Sequence, residues 1–150
     1  MSLNKSFSAF FFRNDGDNRT ILVRLVVGLI FLSEGIQKYL LPELLGTGRF
    51  LKIGFSNPAF WSYFTGTFEV LCGMLIVLGL LVRLASIPPF IIMVVAFITT
   101  KLPILMDKGF WPFAHEYRTD FAMTLLLIYL FLYGAGKWQD SSKISMNSRY

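Results

Sequence analysis

Four long apolar runs dominate the sequence: Ile21 to Leu41, Phe60 to Val82, Leu84 to Met106 and Tyr117 to Ala135. Each is near the ~20 residues a helix needs to cross ~30 Å of hydrocarbon. Helices apolar nearly all round stay soluble only if other chain covers them. In 150 residues, 55% hydrophobic and 15% charged, no such chain is left over. A soluble domain of this size hides only about 70% of the surface its chain exposes. The pattern predicts an all-α integral membrane protein, a four-transmembrane-helix up-down bundle. It excludes an ordinary soluble domain, a disordered chain and a nucleic-acid module. The net charge of +5 is scattered and mostly flanks the apolar runs, as at a membrane surface.

The remaining chain reads as tails and connections. Residues 1–19 form a polar tail whose Phe10, Phe11 and Phe12 lie at the interface. They are too short an apolar stretch for a secretory signal. Residues 20–140 form the membrane domain and 141–150 a second tail. Pro42 to Ala59, with Gly46, Gly48, Gly54 and Pro58, is long for a turn and folds back on the bundle. Arg83 marks a tight turn, and Pro88 and Pro89 suit the first turn of the next helix. Gly109, Pro112 and two aromatics mark the last loop. No internal repeat is evident. Lys5, Arg13, Arg19, Arg83, Lys137, Lys143 and Arg149 gather on one side, against Arg49, Lys52 and Lys108 on the other. The richer side is expected to be cytoplasmic, which places both termini inside. Trp61, Tyr63 and Trp111 then form an outer aromatic belt, and Tyr133 and Trp138 an inner one.

Charges within the runs are the candidate site. An ionisable group inside a spanning helix costs roughly 2.5–3.5 kcal/mol even on lenient scales. Glu34, seven residues before Leu41, lies about 10 Å below the outer end; Glu69, nine after Phe60, lies about 13 Å below it. Lys38 is one turn from Glu34 and can pair with it. Gly66 and Gly73 share a face with Glu69 and turn it into the bundle. Lys101 and Asp120 lie about 5–8 Å deep by the same rise, below His115, Glu116 and Arg118. Arg24, near the inner end, can snorkel to headgroups. Deep carboxylates can exchange protons with a quinone or another substrate. A purely structural role stays open for each: an i,i+4 pair satisfies itself, acids near a helix start complement its dipole, and Cys72 is a small packing residue.

One cysteine and one histidine exclude CxxC chemistry and bis-histidine haem ligation within one chain. No metal site is expected. Gly46-Thr47-Gly48 lacks the Gly-Lys-Ser/Thr of a phosphate loop.

Several segments in order resemble the DoxX family of small four-helix bacterial membrane proteins. They are RLVVGLIFLSEGIQK from Arg24 to Lys38, GRFLKIG from Gly48 to Gly54, and EVLCGMLIVLGLLVR from Glu69 to Arg83. TKLP from Thr100 to Pro103, HEYRTDF from His115 to Phe121 and GAGKWQD from Gly134 to Asp140 complete the set. Gln139 and Lys137 depart from the family's ending. The resemblance implies a multi-pass protein of a bacterial inner membrane and a link to thiosulfate:quinone and thiol-stress complexes. It carries no agreed catalytic residue.

The leading expectation is the membrane subunit of a quinone-linked, sulfur- or thiol-related redox complex. Glu69 is its proton-exchanging carboxylate, tuned by Glu34 and Lys38. Trp61, Phe64 and Trp111 sandwich a ring, and Lys101, His115, Glu116, Arg118 and Asp120 complete the substrate site. The chain encodes no cofactor; its ligand is a bound quinone. Its partners are the bilayer, a soluble or membrane redox protein and further copies of itself, with no nucleic acid. Catalysis by the chain alone stays open. Two other readings stay open as well: a small transporter unit, and a non-enzymatic membrane scaffold or stress protein in which the charges are interhelical glue.

Overall fold

A computed structural model of the protein describes residues 17–136. The Phe10–Phe12 cluster, the basic residues Lys5, Arg13, Lys137, Lys143 and Arg149, Trp138, and the end of the GAGKWQD segment lie outside the described residues.

The described chain is helical, without strands: α1 (Thr20–Leu40), α2 (Thr47–Ile53), α3 (Pro58–Leu78), α4 (Val82–Ala85), α5 (Ile87–Ala96), a π turn (Phe97–Lys101), α6 (Leu102–Lys108) and α7 (Phe110–Tyr133). Three stretches are long and apolar enough to cross a membrane: α1, α3 and Val82–Lys108. The 24-residue α7 has the length, but Glu116, Arg118 and Asp120 crowd its apolar portion.

Local chemistry sets the boundaries. Asn57 caps α3 by accepting the Phe60 N–H. Gly79 ends it at φ 77°, with Leu80 N–H donating to Leu75 O and Gly79 N–H to Ile76 O. Pro88 and Pro89 open α5, as the sequence predicts. The long first loop does fold back: α2 packs on α3, and Phe55 bridges Phe50 and Trp61 edge-on. The last loop differs from expectation. Gly109 (φ 84°) alone separates α6 from α7. Pro112 falls in the first turn of the new helix, where its missing N–H costs nothing. The fourth helix therefore begins at Phe110 rather than Tyr117.

The π turn also has a local cause. Pro103 has no N–H for Thr99 O, and its ring crowds that carbonyl, so the ladder opens just before it. Thr99 and Thr100 hydroxyls donate to Val95 O (2.8 Å) and Ala96 O (2.6 Å) across the opening.

The tightest packing joins α1 to α3 through glycines. Gly28 faces Gly73, and Gly35 faces Gly66. A Cβ on Gly73 would lie 2.7 Å from Leu32 N and 2.8 Å from Gly28 O; one on Gly35 would lie 2.8 Å from Gly66 O. Side chains are excluded there because two backbones touch, the small-residue contact that brings helices together in lipid. The two glycines of each helix are seven residues apart, which keeps this seam aligned over one heptad. Val27, Phe31, Cys72, Ile76, Val82, Ala85, Met123, Leu127 and Leu130 form the core. They fill the half of the bundle toward Gly79. Cys72 is one of these packing residues, as expected.

Candidate functional site

Arg24 and Arg83 are buried in the half of the bundle toward Gly79; the other half, toward Gly46, holds the ion pairs, in two clusters. In the first, Lys38 of α1 donates to Glu69 Oε2 of α3 at 2.5 Å. Both side chains are enclosed, 12% and 5% exposed. This corrects the expected Glu34–Lys38 pair. Lys38 and Glu34 share a helix face, but Glu69 is presented squarely across the glycine seam, and Gly66 leaves room for the lysine stem. A Cβ on Gly66 would sit 3.5 Å from Lys38 Cβ. Glu34 is exposed, with no hydrogen bond or ion pair among the described residues. It still acts on Glu69 electrostatically, as does Arg49. Ser62, two turns from Glu69 on the same face, is buried beneath Gly46, and its hydroxyl has no hydrogen-bond partner.

In the second cluster the π turn delivers Lys101 to α7. Its ammonium donates to Glu116 O (2.9 Å) and lies 3.2 Å from Asp120 Oδ2 and 3.9 Å from Glu116 Oε2. Arg118 Nη1 lies 3.1 Å from His115 Nδ1. Arginine has no lone pair to offer, so in this contact the guanidinium donates and His115 Nδ1 accepts. No hydrogen bond or ion pair joins the two clusters among the described residues.

Arg24 does not snorkel. It is buried and donates to Ile76 O (3.0 Å), Val77 O (2.9 Å) and Ala135 O (2.8 Å). Those carbonyls end α3 and follow α7; Ile76 O, already accepting the Gly79 N–H, takes Arg24 on its second lone pair, and Val77 O is a helix-end acceptor. The guanidinium fork reaches all three at once, as a single ammonium could not.

The aromatic sandwich is also corrected. Trp61 and Phe64 pack edge-on against each other at 5.9 Å, which leaves no slot between them. Trp111 is 80% exposed at the start of α7, against Phe110. Instead Phe60, Phe64 and Phe68 form a ladder down one face of α3. Beside the α1–α3 seam lies an apolar groove of about 400 Å³, lined by Ile36, Tyr39, Leu40, Thr67, Val70 and Leu71. Tyr39 OH meets Thr67 Oγ1 at 2.6 Å in it. Gly66 stands between this groove and Lys38, since its Cβ would lie 3.2 Å from Tyr39 Cε2. Sequence reasoning missed the groove because no charge marks it.

A correspondence missed in the sequence emerges between the two halves of the chain. Arg24-Leu25 precedes Phe31 as Arg83-Leu84 precedes Phe90. Core residues Cys72 and Ile76 follow Glu69 by three and seven positions, as Met123 and Leu127 follow Asp120. Each half is a helical hairpin whose first helix sends a lysine to an acid on the second.

Apolar helices tied by ion pairs within their length define a multi-pass membrane protein. The chain belongs to the DoxX family: the family's sequence profile matches residues 20–102. It is 44% identical over 137 residues to the "Uncharacterized membrane protein Rv3486" of Mycobacterium tuberculosis, covering 87% of this chain and 84% of that one. It is 31% identical over 117 residues to the "Putative oxidoreductase CatD" of Bacillus subtilis, covering 77% and 79%. No solved structure matches it.

Proposed function

We propose that this protein is a four-span membrane subunit of a quinone-linked redox complex in a bacterial inner membrane, with both termini cytoplasmic. The observation that carries the reading is the Lys38–Glu69 pair, enclosed within two apolar helices beside an apolar groove. Ionisable groups at such depth are expensive and are kept for a function or a partner. The name of the Bacillus subtilis relative, "Putative oxidoreductase CatD", supports the redox class.

The residues fit an isoprenoid quinone. The groove is apolar enough for a prenyl tail, and the Tyr39–Thr67 hydroxyl pair is a polar point within it. A quinone supplies two-electron, two-proton chemistry when bound. The Tyr39 and Thr67 hydroxyls have donors to offer a ring oxygen, and across Gly66 from them Glu69 can hold and pass a proton while Lys38 balances its charge. One cysteine and one histidine give the chain no electron relay, so a redox partner delivers electrons.

The protein purified in mild detergent tests this. Extracted ligand is read by an oxidised-minus-reduced ultraviolet spectrum, with Glu69→Ala alongside. Near-stoichiometric quinone, lost in the variant, is expected. Absence of quinone from the native protein refutes the reading.

A further inference from the structure

The charges of the Gly46 half lie on core-facing sides of their helices, yet nothing covers several of them. Glu34 follows Val27 and Phe31 by seven and three residues, so it shares their face. Val27 and Phe31 are buried, and Glu34 is exposed. Asp120 and Glu116 precede Leu127 by seven and eleven residues on one face of α7. Leu127 is buried, but the Asp120 and Glu116 side chains are 28% and 57% exposed. The backbone explains the change. Among the described elements, α3 packs on α4 and α5 but makes at most marginal contact with the π turn and α6. Beyond Ala96 the third span leans on α7 alone. The contacts between α3 and the third span thus end in the Gly79 half, and the uncovered acids lie at the gap beyond them.

Hydrocarbon cannot fill such an opening, because it solvates no carboxylate. We propose that the Gly46 half of the bundle is a water-filled vestibule, open to one aqueous side, that admits small hydrophilic cations and connects the Lys38–Glu69 pair to that side. The lining stays net acidic and so selects for cations: the Lys38–Glu69 pair cancels, and Glu34, Glu116 and Asp120 outnumber Lys101 and Arg49. Thr65, on the Cys72 and Ile76 face of α3 and seven residues before Cys72, lines the wall nearest the pair. The vestibule gives the proton exchange proposed above its route and rests on that reading for its purpose; its existence is separately measurable.

The test is cysteine accessibility in sealed vesicles of the full-length protein. Glu34→Cys and Thr65→Cys are treated with a membrane-impermeant, quaternary-ammonium methanethiosulfonate. Lys52→Cys on α2 marks the Gly46 side, and Ile98→Cys, on a bare apolar face of the third span, marks lipid. Native Cys72, buried in the core, is the unreactive background. Labelling of positions 34 and 65 from the side that labels position 52, at least tenfold faster than at position 98, is expected. An anionic sulfonate reagent is expected to react more slowly than the cationic one. Labelling at 52 without labelling at 34 and 65 overturns the proposal, as does equal labelling at 98. Labelled vesicles without bound quinone would refute the redox reading and leave the vestibule standing.

Discussion

Removing one partner of the Lys38–Glu69 pair should cost unequally, depending on which partner goes. At 2.5 Å and an effective dielectric near 20, the attraction is about 6–7 kcal/mol. Desolvation of the two ions opposes it by several kcal/mol each, so the intact pair is close to neutral against an apolar substitute. Orphaning an ion is different. Lys38→Met strands the Glu69 carboxylate, which is enclosed at the glycine seam, at a cost of about 3–5 kcal/mol. Uptake of a proton by that carboxylate holds the loss toward the lower bound. Glu69→Gln leaves an ammonium on a flexible stem two residues from the end of α1, where it can reach water, and about 1–2 kcal/mol is expected. The double variant should be no worse than Lys38→Met alone, which gives a coupling of at least ~1 kcal/mol. Reversible unfolding in mixed detergent–dodecyl sulfate micelles, followed by tryptophan fluorescence, reads all four states of the cycle. Additive losses, or a Glu69→Gln loss larger than that of Lys38→Met, would refute the reasoning.

Three further outcomes are expected in the same assay. Gly73→Ala drives a Cβ into the backbone of α1 and should cost about 2–3 kcal/mol, whereas Gly54→Ala, open all round but left-handed at φ 92°, should cost about 1. Arg24→Lys should lose about 3 kcal/mol and behave much like Arg24→Met, because one ammonium cannot serve carbonyls at the ends of two helices. Leu81, left-handed at φ 48° in the turn after α3, is the opposite case: Leu81→Gly should raise stability by up to ~1 kcal/mol, and a loss there would show that its side chain matters more than its backbone strain.

The elements that hydrophobic length and proline position determine were legible. The helices α1 and α3 each lie within a few residues of the first two apolar runs, and the proline pair opens α5. The burial of Glu69 followed from Gly66 and Gly73 on its face. What stayed hidden depended on which helix faces which. Lys38 has two acids in reach, and sequence spacing favours Glu34 by proximity along the chain. The glycine seam instead brings α3 so close that Glu69 wins. Arg24 looked like a headgroup ligand because its acceptors lie fifty-two and more residues away. The aromatic residues misled because they pack on their own helix neighbours, an arrangement that periodicity permits but does not distinguish from a binding slot.

The Arg24 clasp has a consequence for how the chain is made. Two of its acceptors, Ile76 O and Val77 O, exist once the second long helix has left the ribosome. The third, Ala135 O, is synthesised nearly sixty residues later. Until then the guanidinium sits at the rim of an unfinished bundle with a donor unmet. A chain cut short before Ala135 carries that unmet donor permanently. The clasp is therefore completed only in a chain that extends to Ala135, where it ties the first helix to the end of the last.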